Sequence, residues 1–170
     1  MNLAQDIPER YSQLEFKPII EWIRGAEERF AELMEVLFDK NSRKSRYAAS
    51  IMSHCVDKWN YLLLPYVERL ILNLQNPNLH DAIKRNTVRV LQDVEIPEHL
   101  HGTMAEITFQ YLQNPAEAIA TKISSMTILD NLTKKYPELK EELRFIIEEQ
   151  IPFQSAGFRS RAGKILKRIS

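Results

Sequence analysis

One tetrapeptide occurs twice in this chain, as Leu74-Gln75-Asn76-Pro77 and Leu112-Gln113-Asn114-Pro115, 38 residues apart. A third proline, Pro152, follows Pro115 by 37 residues, and Asp39 stands 38 residues before Pro77. A second series keeps step with the first. The apolar pairs Ile51-Met52, Val90-Leu91, Ile128-Leu129 and Ile165-Leu166 are spaced by 39, 38 and 37 residues. Four residues after the first member of each pair comes another apolar residue: Cys55, Val94, Leu132 and Ile169. Positions i, i+1 and i+4 share one face of a helix, so the series predicts four helices that present the same apolar face. A fixed period of this length marks a repeat architecture, in which each unit buries its face against the next.

The units read as helix pairs. First helices are expected over roughly 20–38, 60–75, 98–113 and 138–150, and their partners over roughly 43–58, 79–94, 116–134 and 156–169. Trp22, Ala26, Phe30, Leu33, Met34 and Leu37 lie on one stripe of the opening helix. Asn76-Pro77 and Asn114-Pro115 turn the chain between partners, because proline cannot continue a helix and restricts the residue before it. Pro97 and Pro137 fall near helix starts, where a missing N–H costs little. Pro65 falls inside an apolar stretch and predicts a late start or a kink. Only four glycines in 170 residues argue against a sheet with many tight turns. Residues 1–19 lie outside the repeat, and Ile7, Leu14, Phe16 and Ile19 are expected to form a helix that covers the end of the stack. The expectation is a single domain over 1–170, with repeats at about 20–58, 60–95, 98–135 and 138–170.

This order of first helix, Asn-Pro turn and second helix resembles the HEAT and armadillo-like α-solenoids. A basic residue early in the second helix adds to the likeness: Arg46, Arg85 and Lys122. Arg46-Tyr47-Ala48-Ala49 is near the Val-Arg-x-x-Ala opening common in HEAT repeats, and Arg85-Asn86-Thr87-Val88 is a looser match. The Trp, Gly and Tyr marks of a tetratricopeptide unit, whose period is about 34, are missing. The resemblance covers about residues 20–170. It implies an all-α, right-handed α-α superhelix of about four helical hairpins plus an N-terminal cap.

Catalytic motifs are not found in the sequence. His99 and His101 are spaced i, i+2, which puts them on opposite sides of a helix rather than on one metal-binding face, and His54 and His80 stand alone. Cys55 occupies an apolar repeat position and is expected to be a small core residue; a lone cysteine also permits no internal disulfide. Ser124-Ser125-Met126 echoes a loop of the fumarase superfamily but lacks its Gly and its Pro-x-Lys-x-Asn-Pro continuation. No metal and no cofactor is expected, and no enzymatic activity. Asp6, Glu9, Arg10 and Glu15 break any apolar leader, and the longest apolar run, 61–67, is far short of the ~20 residues of a membrane span. A cytoplasmic location and no membrane partner are therefore expected.

The chain is neutral, with 23 basic and 23 acidic residues, yet the charges are not evenly spread. The four first helices sum to −8 and their partners to +9. Second helices line the concave face of a HEAT-like stack, so a basic face is expected there. Its candidates are Arg43, Lys44, Arg46, Lys84, Arg85, Arg89, Lys122, Arg159, Arg161 and Lys164. The leading expectation is a binding module that holds a protein or peptide partner on its concave face. The alternative is phosphate-backbone binding to nucleic acid, remotely like the HEAT-like alkylpurine DNA glycosylases, with Trp59, Tyr47 and Asp57 nominated around an extruded base.

Overall fold

The computed structural model describes residues 1–8, 10, 13–39 and 43–170. Glu9, which counted against a leader, lies outside them, as does part of the 1–19 cap. The described residues are all-helical, without a strand among them. They divide into two compact units, Met1–Val90 and Leu91–Ser170. The first holds α1 (Leu3–Asp6), α2 (Gln13–Ile23), α3 (Glu27–Phe38), α4 (Lys44–Lys58) and α5 (Val67–Leu74), and α6 (Asp81–Leu91) closes it. The second holds α7 (His101–Gln113), α8 (Ile119–Thr133), α9 (Leu139–Gln150) and α10 (Ala156–Ile169). Short 3₁₀ turns at Asn60–Tyr66, Glu98–Leu100 and Ile151–Phe153 lead into or out of the first helices.

The repeated tetrapeptide makes the same turn each time. Proline has no N–H to offer, and the asparagine before it takes the next available donor with its side chain. Asn76 Oδ1 accepts from the Asn78 N–H at 3.0 Å, and Asn114 Oδ1 accepts from the Ala116 N–H at 3.0 Å. The backbone closes in parallel: Leu79 N donates to Asn76 O at 3.2 Å and Glu117 N to Asn114 O at 3.1 Å. The helices that enter the two turns end at different offsets, α5 at Leu74 and α7 at Gln113, yet each second helix restarts four residues after its proline, at Asp81 and Ile119.

The apolar series forms the core. Ile51, Met52, Cys55, Val90, Leu91, Ile128, Leu129, Leu132, Ile165 and Ile169 are all buried. In the second unit, Leu112, Met126, Leu129, Leu143, Ile147, Phe158 and Ile165 belong to one cluster, which α8 crosses while packing against α7, α9 and α10. Val94 falls just past the end of α6 and is half-buried, as is Leu166.

Three expectations need correction. The opening helix is not continuous over 20–38: Arg24 (φ 43°) and Gly25 (φ 77°) both adopt the left-handed conformation, ending α2 and letting α3 restart. Gly25 is held there by the Tyr61 hydroxyl, which donates to its carbonyl at 2.6 Å. The N-terminal segment is two helices rather than one, tied back by Lys44 Nζ donating to the Ala4 carbonyl at 2.5 Å. Within it Ile7, Phe16 and Ile19 are buried, but Leu14 is 84% exposed, because it lies on the face of α2 turned from the core. Pro65 sits in the 3₁₀ turn Asn60–Tyr66 and delays α5 to Val67, the late start its position predicts.

Denaturant melts test this register. Leu91→Ala and Leu129→Ala are each expected to destabilise by about 2–5 kcal/mol through cavity formation, and Glu141→Ala by about 0.5 kcal/mol or less. Gly25→Ala is expected to cost about 1–3 kcal/mol, since its Cβ would lie 2.7 Å from Tyr61 Oη on a backbone already at positive φ. A neutral Leu129→Ala would refute the alignment of α8.

Candidate interaction surfaces

The second helices carry the cations, and the structure shows how many of them are already engaged. On α4 and α6 a later helix reaches back to an earlier one. Arg89 donates to the Ser53 hydroxyl and, through Nη2, to both Asp57 carboxylate oxygens at 2.8 and 3.0 Å. Asn86 Nδ2 donates to Ser50 Oγ at 3.4 Å beside them. The second unit repeats the device: Arg161 donates to Thr127 Oγ1, and Arg168 Nε to Asp130 Oδ2 at 3.0 Å. Lys84 pairs with Asp81 on its own helix at 3.5 Å.

Lys122 is a correction to the expected basic face. Enclosed where α8 meets its neighbours, it is only 2% exposed and donates to Gln150 Oε1 at 2.9 Å. Burial holds its amine below the usual lysine range, against the pull of the nearby Glu117 carboxylate. It cannot extend a surface ladder from Arg46 and Arg85 to Arg159. Arg43, Arg46, Arg85, Arg159 and Lys164 do reach the surface, and none has an ion pair or side-chain hydrogen bond to another described residue. Arg43 and Arg46 line an open cleft of 250 Å³ together with His80 and the Asn76 turn. Two of the three residues nominated around an extruded base have partners within the fold. Asp57 is bound by Arg89, and the Tyr47 ring packs 6.0 Å from that of Phe16.

An open cleft of 610 Å³ lies within the second unit, and of the expected basic residues only Lys122 lines it. One wall is the Asn114-Pro115 turn with Gln113; the other is α9, with Glu142, Phe145 and Glu149. Its floor is fixed by a hydrogen-bonded chain. Gln150 Nε2 donates to the Leu112 carbonyl at 2.7 Å, while Gln150 Oε1 accepts from Lys122 and from Gln154 Nε2 at 3.2 Å. Phe145 stands 61% exposed at the mouth, and Phe153 beyond the end of α9 is 86% exposed.

The protein-family model described as the HEAT repeat domain matches residues 3–169. The chain belongs to the HEAT repeat domain family. Neither a curated protein nor a solved structure matches it significantly. A HEAT repeat domain is a helical-repeat scaffold, a type of fold that commonly mediates interactions through stacked surfaces. Among the described residues of this HEAT domain no helix is long and apolar enough to cross a membrane, and no cluster of three or more metal-ligating side chains occurs.

The remaining titratable groups serve the scaffold. His101 lies between two partners, with Nε2 donating to the Ile96 carbonyl at 2.7 Å and Nδ1 facing Tyr136 Oη at 3.0 Å. Cys55 is a core residue, and burial pushes its thiol up to about 12, against the opposing effect of Lys58. His80 caps α6, with Nδ1 accepting from the Ala82 N–H at 3.1 Å.

Two measurements follow for this HEAT domain. Arg168→Met is expected to destabilise by about 1–2 kcal/mol, because it strands the largely buried Asp130 carboxylate, whereas Lys164→Met stays within about 0.5 kcal/mol. Equal effects in a denaturant melt would refute the inter-repeat role of Arg168. The second concerns pH. Burial, with Arg46 and Arg85 nearby, lowers the His80 pKa below its ordinary 6.5, although Asp81 opposes the shift. The folded state therefore binds fewer protons than the unfolded one, and His80 contributes stability above pH ~6.5 that is lost as pH falls through its lowered value. Wild type should lose more thermal stability between pH 7.5 and 5 than His80→Asn, whose amide oxygen accepts the same N–H without titrating. An unchanged difference across that range would refute the cap's titration.

Proposed function

We propose that this HEAT domain is a non-enzymatic, cytoplasmic scaffold that holds a segment of another protein. The observation that carries the reading is how its charges are spent. Five of the nominated second-helix cations, Lys44, Lys84, Arg89, Lys122 and Arg161, already bond to neighbouring groups of the chain. By contrast, the large apolar side chain of Phe145 stands in water on an open cleft, and that of Phe153 is exposed as well. A polyanion site gains affinity from cations that are free to replace counterions. A protein interface gains it from aromatic anchors that become desolvated on contact.

Nucleic-acid binding remains a second reading because of one feature, the cleft of the first unit with Arg43, Arg46 and the nearby Arg85. Crosslinking in the cell of origin separates the two. A photoreactive side chain is placed at Phe153 and the adducts are treated with nuclease or with protease. The expected result is a discrete protein adduct that survives nuclease. In parallel, labelled DNA and RNA are titrated at two salt concentrations against wild type and the Arg85→Glu, Arg159→Glu double variant. Binding indifferent to charge reversal, or none above the non-specific level, is expected. Nucleic-acid adducts together with a steep salt slope that the double variant flattens would overturn the scaffold reading.

A further inference from the structure

Glu138, which caps α9, and Glu142, Phe145 and Glu149 on it follow at i, i+4, i+7 and i+11, which is one stripe of a helix. All four are exposed. Past Glu138 the stripe runs as carboxylate, aromatic ring, carboxylate along the wall of the 610 Å³ cleft, with the buried Ile146 beneath it. The single cation lining the cleft, Lys122, is sunk in its floor, hydrogen-bonded to Gln150 and close to the buried Glu117 carboxylate. The field at the mouth is thus set by Glu142 and Glu149, and the apolar contact by Phe145.

We infer that the cleft between the Asn114-Pro115 turn and α9 is a docking groove for a cationic amphipathic helix of a partner protein. The inference rests on the scaffold reading and names its partner's chemistry. Glu142 and Glu149 are seven residues apart, about 10 Å along the helix axis at 1.5 Å per residue. A helix lying alongside α9 has the same rise, so it meets both carboxylates with two Lys or Arg residues spaced i, i+7. It meets Phe145 with an apolar residue between them, at i+3 if the helices run parallel and i+4 if antiparallel. This is helix-in-groove recognition with a charge-matched rim. The same carboxylates repel anionic lipid headgroups and nucleic-acid phosphates, so neither of those surfaces fits the groove.

The test uses the full chain and a synthetic amphipathic leucine–lysine helix carrying that spacing, labelled for fluorescence anisotropy. Its controls are a scrambled peptide of the same composition and a leucine–glutamate analogue. Saturable binding of the first peptide alone is expected. Phe145→Ala should weaken it by about tenfold or more, as for a central aromatic anchor. Glu142→Lys with Glu149→Lys should abolish it, and should admit the leucine–glutamate analogue instead. The same charge change made on α3, Glu27→Lys with Glu28→Lys, should leave binding within about twofold, since neither residue lines the groove. Circular dichroism of each variant checks that the helices persist, as expected for exposed positions.

Equal weakening by the α3 and α9 reversals, or equal binding of the scrambled peptide, would show only general charge attraction and overturn the inference. Absence of binding would overturn it as well. Concentration-dependent self-association that Phe145→Ala abolishes would identify a second copy as the occupant and also overturn it. None of these results touches the scaffold reading, which fails only if the cellular adducts are nucleic acid.

Discussion

Enclosure of the second helices is the constraint from which the rest follows. α8 packs against α7, α9 and α10, and its buried residues include Thr121, Ser124, Ser125 and Thr133 alongside Met126, Ile128 and Leu129. A helix walled in on several sides has little room for long side chains, so its polar positions shrink to hydroxyls that can bond locally. Longer polar groups persist only where a neighbour accepts them. Lys122 meets Gln150, and Arg161 and Arg168 reach back from α10 to the edge of α8. Some of the cations that give these helices their positive sum are therefore tied into the repeat, while Arg43, Arg46, Arg85, Arg159 and Lys164 stay at its surface. On the first helix α9 the free face carries Glu142, Phe145 and Glu149.

Much of this was legible in the sequence because a repeat compares a chain with itself. The Ile51-Met52 series placed buried residues in all four second helices, and the Asn-Pro turns bounded them. What escaped was local or steric. Arg24-Gly25 lies inside an apolar stripe that reads as continuous helix, and only the left-handed backbone of both residues separates α2 from α3. Leu14 is apolar and suitably placed for a cap, yet helix phase after the break turns it outward. Periodicity records which residues are apolar. It does not record where a new helix resets the count.

The interaction surfaces were less legible for a related reason. Summing charge over a helix treats each Lys or Arg as available, whereas Arg89 and Arg168 find partners 32 and 38 residues earlier, at Asp57 and Asp130. The second separation is the repeat period itself, so pairing candidates across aligned repeats would have exposed Arg168, whereas the partner of Arg89 lies six residues off that register. The stripe on α9 was also present in the sequence, at i, i+4, i+7 and i+11. It was hidden because Lys140 and Arg144 enter the same sum although they lie off that face. Lys122 looked like a surface cation because it opens a second helix in the manner of Arg46 and Arg85; its burial depends on how three other helices close over it.

Each Asn-Pro turn borders one of the open clefts, and the two clefts carry opposite electrostatic signs. The turn at Asn76 adjoins Arg43 and Arg46, and the turn at Asn114 adjoins Glu142 and Glu149. One backbone solution, spelled with the same four letters, is thus a mould cast twice and finished in different charges. A substitution that distorted Asn114 or Pro115 would reshape a cleft wall as well as redirect the backbone, because the residues that steer the chain are also residues that bound the cleft.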